Sequence, residues 1–194
     1  RAPIVILEPG RVEMDGDVVP SDLTDRSVSW DSARVGSLLA RYTMRSDRHL
    51  DALARALHQF LARDPEITLA LTGSYDLMTL GEPGALRAVF EDLHHPRLRY
   101  WHDTGIAFRR ERAAGLPQGL WLEELNKWLC GATFADATGS DTLVPPGSGL
   151  ADLAAAAAWV RRQRDAWPVA IELDPAVADG EVRAARLFLR GLGL

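Results

Sequence analysis

Groups able to do chemistry gather in this chain where apolar runs stop. Leu98-Arg-Tyr-Trp101 runs straight into His102-Asp103-Thr104-Gly105, which places an imidazole, a carboxylate and a hydroxyl at one strand end. Glu8 closes Ile4-Val-Ile-Leu7, Asp136 follows Gly131 to Phe134, Glu172 sits in Val169 to Leu173, and Asp141 opens the rigid loop Asp141-Thr-Leu-Val-Pro-Pro-Gly-Ser-Gly149. Oxygen donors of this kind suit a hard cation, so Glu8, Asp103, Asp136, Asp141 and Glu172 are the candidate ligands for magnesium or manganese. Zinc is not expected, because it favours nitrogen and sulfur, and of the five histidines only His102 lies at a strand end. Carboxylates gathered without a cation raise each other's pKa values, so the competing expectation is that two or three of them face water or cap helices.

His102 could serve as a base beside Asp103, since an adjacent carboxylate raises an imidazole's pKa. Strand neighbours point to opposite faces, however, so with Asp103 at the site His102 is expected in the helix layer. Arg109, Arg110 and Arg112 could meet a phosphate, with a solvated loop as the expected alternative. His94 and His95 end a helix and read as a solvated turn. Cys130, the single cysteine, reads as core and excludes an intramolecular disulfide.

The elements that must hold these residues alternate. Ile4 to Leu7, Ile67 to Leu71, 98 to 105, Gly131 to Phe134 and Val169 to Leu173 read as strands. Between them come helices. One spans Leu50 to Leu61 behind Ser46-Asp47 and stops at Asp64-Pro65; another begins at Pro83 and carries Leu86, Val89, Phe90 and Leu93. A third carries Leu122, Leu125 and Leu129, an alanine-rich fourth runs from about Leu150 to Trp167 with Arg161, Arg162 and Arg164 outward, and a last spans about Asp179 to Leu189. Trp121, Trp128, Trp159 and Trp167 fall on these helices and read as packing. Residues 11 to 45 read as a long loop region with a short helix over Val35 to Tyr42. Five strands at such spacing imply parallel βα units, either a barrel or a doubly wound sheet, and no Gly-x-Gly-x-x-Gly supports dinucleotide binding.

Composition limits the partners. The chain has 194 residues, 47% hydrophobic and 25% charged, which suits a single domain with a full core. A net charge of -5, with basic residues dispersed, argues against nucleic acid. No apolar run approaches the roughly 20 residues that cross a bilayer, so a soluble, cytoplasmic protein with no membrane partner is the expectation.

Taken in order, Glu8-Pro-Gly10, Leu69-Ala-Leu-Thr-Gly73, His102-Asp-Thr-Gly-Ile106, Thr133-Phe-Ala-Asp136, Asp141 to Gly149 and Ala170-Ile-Glu172 resemble the later strand ends of the xylose isomerase-like TIM barrels, the sugar isomerase and epimerase group. The resemblance implies an α/β fold of (β/α) barrel type, one domain over residues 1–194, lacking the first units of an eight-fold barrel. It also implies a divalent metal at the C-terminal mouth and carboxylates that move a proton between neighbouring carbons. In that pattern Glu8 stands for a histidine, Thr72 for a glutamate, Ile106 and Leu143 for histidines, and Thr133 and Ala135 for the histidines ahead of Asp136. Asp103 and Glu172 remain as the acid/base candidates. Thr72, His102 and Arg109 are the candidate substrate contacts.

Three readings follow. The first is a divergent, non-isomerising member that binds a sugar-like or acidic metabolite, or serves as a scaffold. The second is an active isomerase or epimerase with a carboxylate-only magnesium or manganese site and Glu172 as base. The third is an interaction module, because five βα units cannot close an eight-stranded barrel and the open edges call for a second copy or another chain segment. The start at Arg1, so close to the first strand, reads as preceding material having been removed, lost or not included.

Overall fold

The structure, a computed structural model, describes residues 3–12, 42, 46–139, 141–163 and 167–194. Five parallel strands lie side by side in chain order: β1 (Ile4–Leu7), β2 (Thr68–Leu71), β3 (Leu98–Asp103), β4 (Leu129–Phe134) and β7 (Val169–Ile171). Between β4 and β7 a short antiparallel hairpin pairs β5 (Asp136–Ala137) with β6 (Thr142–Val144). Helices α1 (Asp47–Arg63), α2 (Pro83–Leu93), α3 (Thr104–Ala114), α4 (Leu120–Leu125), α5 (Leu153–Arg161) and α6 (Asp179–Gly191) connect the strands, with a 3-10 turn over Asn126–Trp128. Sequential parallel order is the topology of a barrel, so the described residues form a half-barrel with β1 and β7 as its edge strands.

Alternate strand residues divide the core in two. Leu69 and Leu71 of β2, Leu98 and Tyr100 of β3 and Ala132 and Phe134 of β4 pack under the helices with Leu57, Leu61, Leu86, Phe90, Trp121 and Ala157. The other face carries Ala70, Trp101 and Cys130, with Ile4 and Trp167 against them. Trp101 needs the glycine beside it: a Cβ on Gly131 would lie 2.2 Å from the indole ring. The indole Nε1 donates to Thr133 Oγ1 at 2.9 Å, so Trp101 ties β3 to β4 across the concave face. Cys130 is fully buried there and its thiol is pushed up to about 12 by burial.

Helix α2 starts on Pro83, whose missing N–H costs nothing in the first turn, and ends at His94 in the left-handed region. Helix α1 buries Leu57 and Leu61, and Ser46 starts it through its carbonyl, which accepts from Leu50 N–H at 3.0 Å, and not through a side-chain cap. Five expectations are corrected. The third strand ends at Asp103 and not at 105, because Thr104 and Gly105 already open helix α3. Residues 109–112 are helix α3, not a solvated loop. Leu129 belongs to β4 and not to the preceding helix, which ends at Leu125. The Pro-Gly loop begins with strand β6. Trp167 precedes β7 outside any helix. The loop and short helix expected over residues 11–45 fall largely outside the described residues, as does Arg164.

Candidate functional site

The C-terminal edge of the sheet brings Glu8, Thr72, Asp103, Thr133 and Glu172 to the ends of successive strands. Asp103 ends β3 and caps α3, its Oδ1 accepting from Ile106 N–H at 2.8 Å. Thr133 is its register partner on β4. Thr72 follows β2, is 7% exposed, and its buried Oγ1 has no hydrogen-bond partner. Glu172 is half-buried past β7, with its backbone N–H on Phe134 O, so β4 lies between it and Asp103. Glu8 is exposed at the far edge.

The remaining candidates are placed elsewhere. Asp136 is buried, and its carboxylate accepts four backbone N–H groups: Ala137 and Ala151 on Oδ1 at 2.9 and 3.0 Å, Gly149 and Gly147 on Oδ2 at 2.9 and 3.0 Å. It holds the loop after β6 against the end of β4. Gly149 is required for that approach, since a Cβ there would sit 2.4 Å from Asp136 Oδ1. Asp141 is exposed in the β5–β6 turn, its N–H donating to Thr138 Oγ1. Among the described residues no group of three or more His, Cys, Asp or Glu converges to hold a metal ion. This donor set therefore does not fit the metal centre that the resemblance implies.

Apolar side chains stand at the mouth instead. Ile106, Leu143, Tyr75 and Ala135 form one buried cluster. Three of the four, Ile106, Leu143 and Ala135, occupy positions where the resemblance places histidines. The fit is close: a Cβ on Gly73 would meet Ile106 Cγ2 at 2.7 Å, and one on Gly105 would meet Tyr75 Oη at 2.5 Å. Leu143 reaches the cluster with φ at 67°, a conformation costly for a branched side chain. Thr104 locks the same region, its Oγ1 donating to Ala135 O at 2.6 Å and accepting from Ala135 N–H at 3.0 Å. Tyr75 lies at no motif position and carried no sequence signal, whereas Thr104 stands inside His102-Asp-Thr-Gly-Ile106 and reads there only as a hydroxyl at the strand end.

His102 lies on the helix side, 2% exposed, with Nδ1 2.8 Å from Tyr100 Oη. Burial pushes its pKa down to about 3, so the ring is neutral. It lines a cavity of about 60 Å3 with Thr104, Gln118 and Trp159, away from Asp103. Arg109 and Arg110 are fully buried on α3. Arg109 Nε donates to Tyr75 O at 2.7 Å, so this candidate substrate contact supports the loop behind the mouth.

The fold is that of an incomplete (β/α) barrel. The chain superposes on the crystal structure of a D-tagatose 3-epimerase-like protein with a TM-score of 0.61 at 16% identity. The match covers 98% of this chain and 61% of that one, so the chain spans about three fifths of its length. No protein-family model and no curated protein matches the chain. Among the described residues no helix is long and apolar enough to cross a membrane.

Proposed function

We infer that this chain is a divergent member of the sugar isomerase and epimerase-like barrels that binds a sugar-like or acidic metabolite at the strand-end mouth without isomerising it. The observation that carries this reading is the apolar cluster of Ile106, Leu143, Tyr75 and Ala135. Metal-assisted proton transfer between neighbouring carbons needs a Lewis acid beside the substrate oxygens and a base beside the hydrogen. Branched apolar side chains supply neither, and the four backbone amides on Asp136 engage both oxygens of another carboxylate. Polar groups suited to hydroxyl recognition remain, namely the unpartnered Thr72 Oγ1 and the Asp103 and Glu172 carboxylates. The epimerase-like name of the structural neighbour favours a sugar-like ligand over other small polar molecules.

The purified protein, supplied with manganese or magnesium, is expected to hold no stoichiometric zinc and to leave D-tagatose unchanged at C3, while the ketose shows saturable binding by saturation-transfer NMR. Metal-dependent turnover would overturn the reading and favour a carboxylate site with Glu172 as base. Absence of both turnover and ketose binding would leave a scaffold.

The open edges support association. Val5, Ile6 and Leu7 of β1 are 40%, 46% and 39% exposed, and Val169 of β7 is 38% exposed. Unpaired, apolar edge strands recruit other strands. A second copy or another chain segment is therefore expected to cover β1 and β7, and light scattering that finds a stable lone 21.3 kDa species would count against it.

A further inference from the structure

On the side of the sheet opposite the mouth, the end of α2, the turn into β3 and the 3-10 turn before β4 border an open pocket of about 380 Å3. His94, His95, Arg99 and Lys127 line it, against one carboxylate, Glu91. In a chain of net charge -5 this is a local reversal of sign. Glu91 Oε1 lies 3.4 Å from Lys127 Nζ, and both side chains are at least half exposed, so the pair is weak and leaves the set with surplus positive charge.

The other groups fix the chemistry of the space. Phe90 and Trp128 stack at 4.9 Å between ring centroids, and the Lys127 ammonium lies 4.0 Å over the Trp128 ring. Those contacts engage the indole, so the pocket offers charge and hydrogen bonds in place of a stacking platform. His95 Nδ1 accepts from Arg97 N–H at 3.2 Å, leaving its Nε2 as the donor of the neutral ring. Burial, then Arg97 and His58, hold that ring's pKa below its usual value. The Arg99 guanidinium donates to Leu129 O at 3.1 Å and lies 5.4 Å over the Trp167 ring, so it brings charge to the pocket wall. Among the residues that line the pocket, Glu91 is the one carboxylate set against Arg99, Lys127 and the two histidines.

We propose that this pocket is a binding site for a phosphate group carried on a small molecule. A phosphate needs several convergent donors and tolerates lysine as a point charge. The volume exceeds that of the ion alone and leaves room for a short polar ester. The site faces away from the strand-end mouth and does not depend on the reading given above.

The test is a titration with inorganic phosphate and with glycerol 3-phosphate at ionic strength held constant by sodium chloride, followed through the histidine ring resonances. Constant ionic strength removes general screening as a cause of shifts. Saturable shifts of His94 and His95 are expected from either probe, with affinity reduced about fivefold in Lys127→Gln. His94→Gln provides a second variant on an exposed turn. Shifts that never saturate, that appear equally at His49 and His58, or that neither substitution weakens would overturn the proposal.

Discussion

Replacing Asp136 with alanine is expected to destabilise the fold by about 3 kcal/mol, a large share of the stability of a domain this size. The carboxylate accepts four backbone N–H groups, one from the adjacent residue and three from the loop over Gly147 to Ala151. Hydrogen bonds to a charged acceptor contribute roughly 1.5–3 kcal/mol each in isolation, but they do not add. Gly147 and Ser148 are exposed, so part of that loop can turn its amides to water, which keeps the loss well below four times the single value. Asp136→Asn separates acceptor count from volume. Its amide keeps one oxygen and presents an NH2 group to two N–H donors, so its cost is expected to approach that of alanine. Urea denaturation measures both variants, and amide exchange at Gly147, Gly149 and Ala151 reports the loop directly. A loss below about 1 kcal/mol in Asp136→Asn would mean that the four contacts are not holding the loop.

The same residue shows where sequence reasoning reaches its limit. A carboxylate just past an apolar strand reads as a ligand candidate, and position alone does not reveal that a Pro-Pro-Gly-Ser-Gly loop folds back to present three amides to it. The strands were legible because parallel, doubly covered strands leave apolar runs, while their order stayed open between a barrel and a doubly wound sheet until the resemblance favoured the barrel. The run of helix α1 was legible for a similar reason: a stripe at helical spacing ended by Asp64-Pro65. Helix α3 was not, because its apolar stripe is weak and Arg109-Arg110 looks solvated when charge is the only guide. Hairpin β5–β6 escaped notice because β5 has two residues and β6 three, too few for any period. Ile106 and Leu143 stood out as departures from a family pattern, while their meeting with Tyr75 and Ala135 needed the folded chain. Leu143 in the left-handed region had no sequence signal at all, since branched residues seldom adopt it.

Arg110 is the second position of large expected effect, and it acts on the mouth from behind. Its side chain is fully buried on α3 and reaches into the loop between β2 and α2. One terminal nitrogen donates to Glu82 Oε1 at 2.6 Å and Leu77 O at 3.4 Å; the other reaches Asp76 O at 3.2 Å, Thr79 Oγ1 at 3.2 Å and Thr79 O at 3.4 Å. That loop is buried along most of its length, so its carbonyls need internal donors, and a planar fork can satisfy several at once. The Tyr42 hydroxyl donates to Thr79 O as well. Methionine at 110 fills much of the volume but strips every donor and leaves Glu82 without its buried partner, for an expected loss of about 3–5 kcal/mol. Lysine keeps the charge near Glu82 yet cannot span the separate carbonyls, so about half that loss is expected. Chemical denaturation ranks the three proteins, and near-equality of lysine and arginine would show that charge alone, without the fork, supports the loop. Because the same loop carries Tyr75 into the cluster with Ile106 and Leu143, loosening it should open the mouth before the sheet unfolds. Faster amide exchange at Tyr75 and Ile106 in Arg110→Lys, with β2 and β3 still protected, is the signature of that order of events.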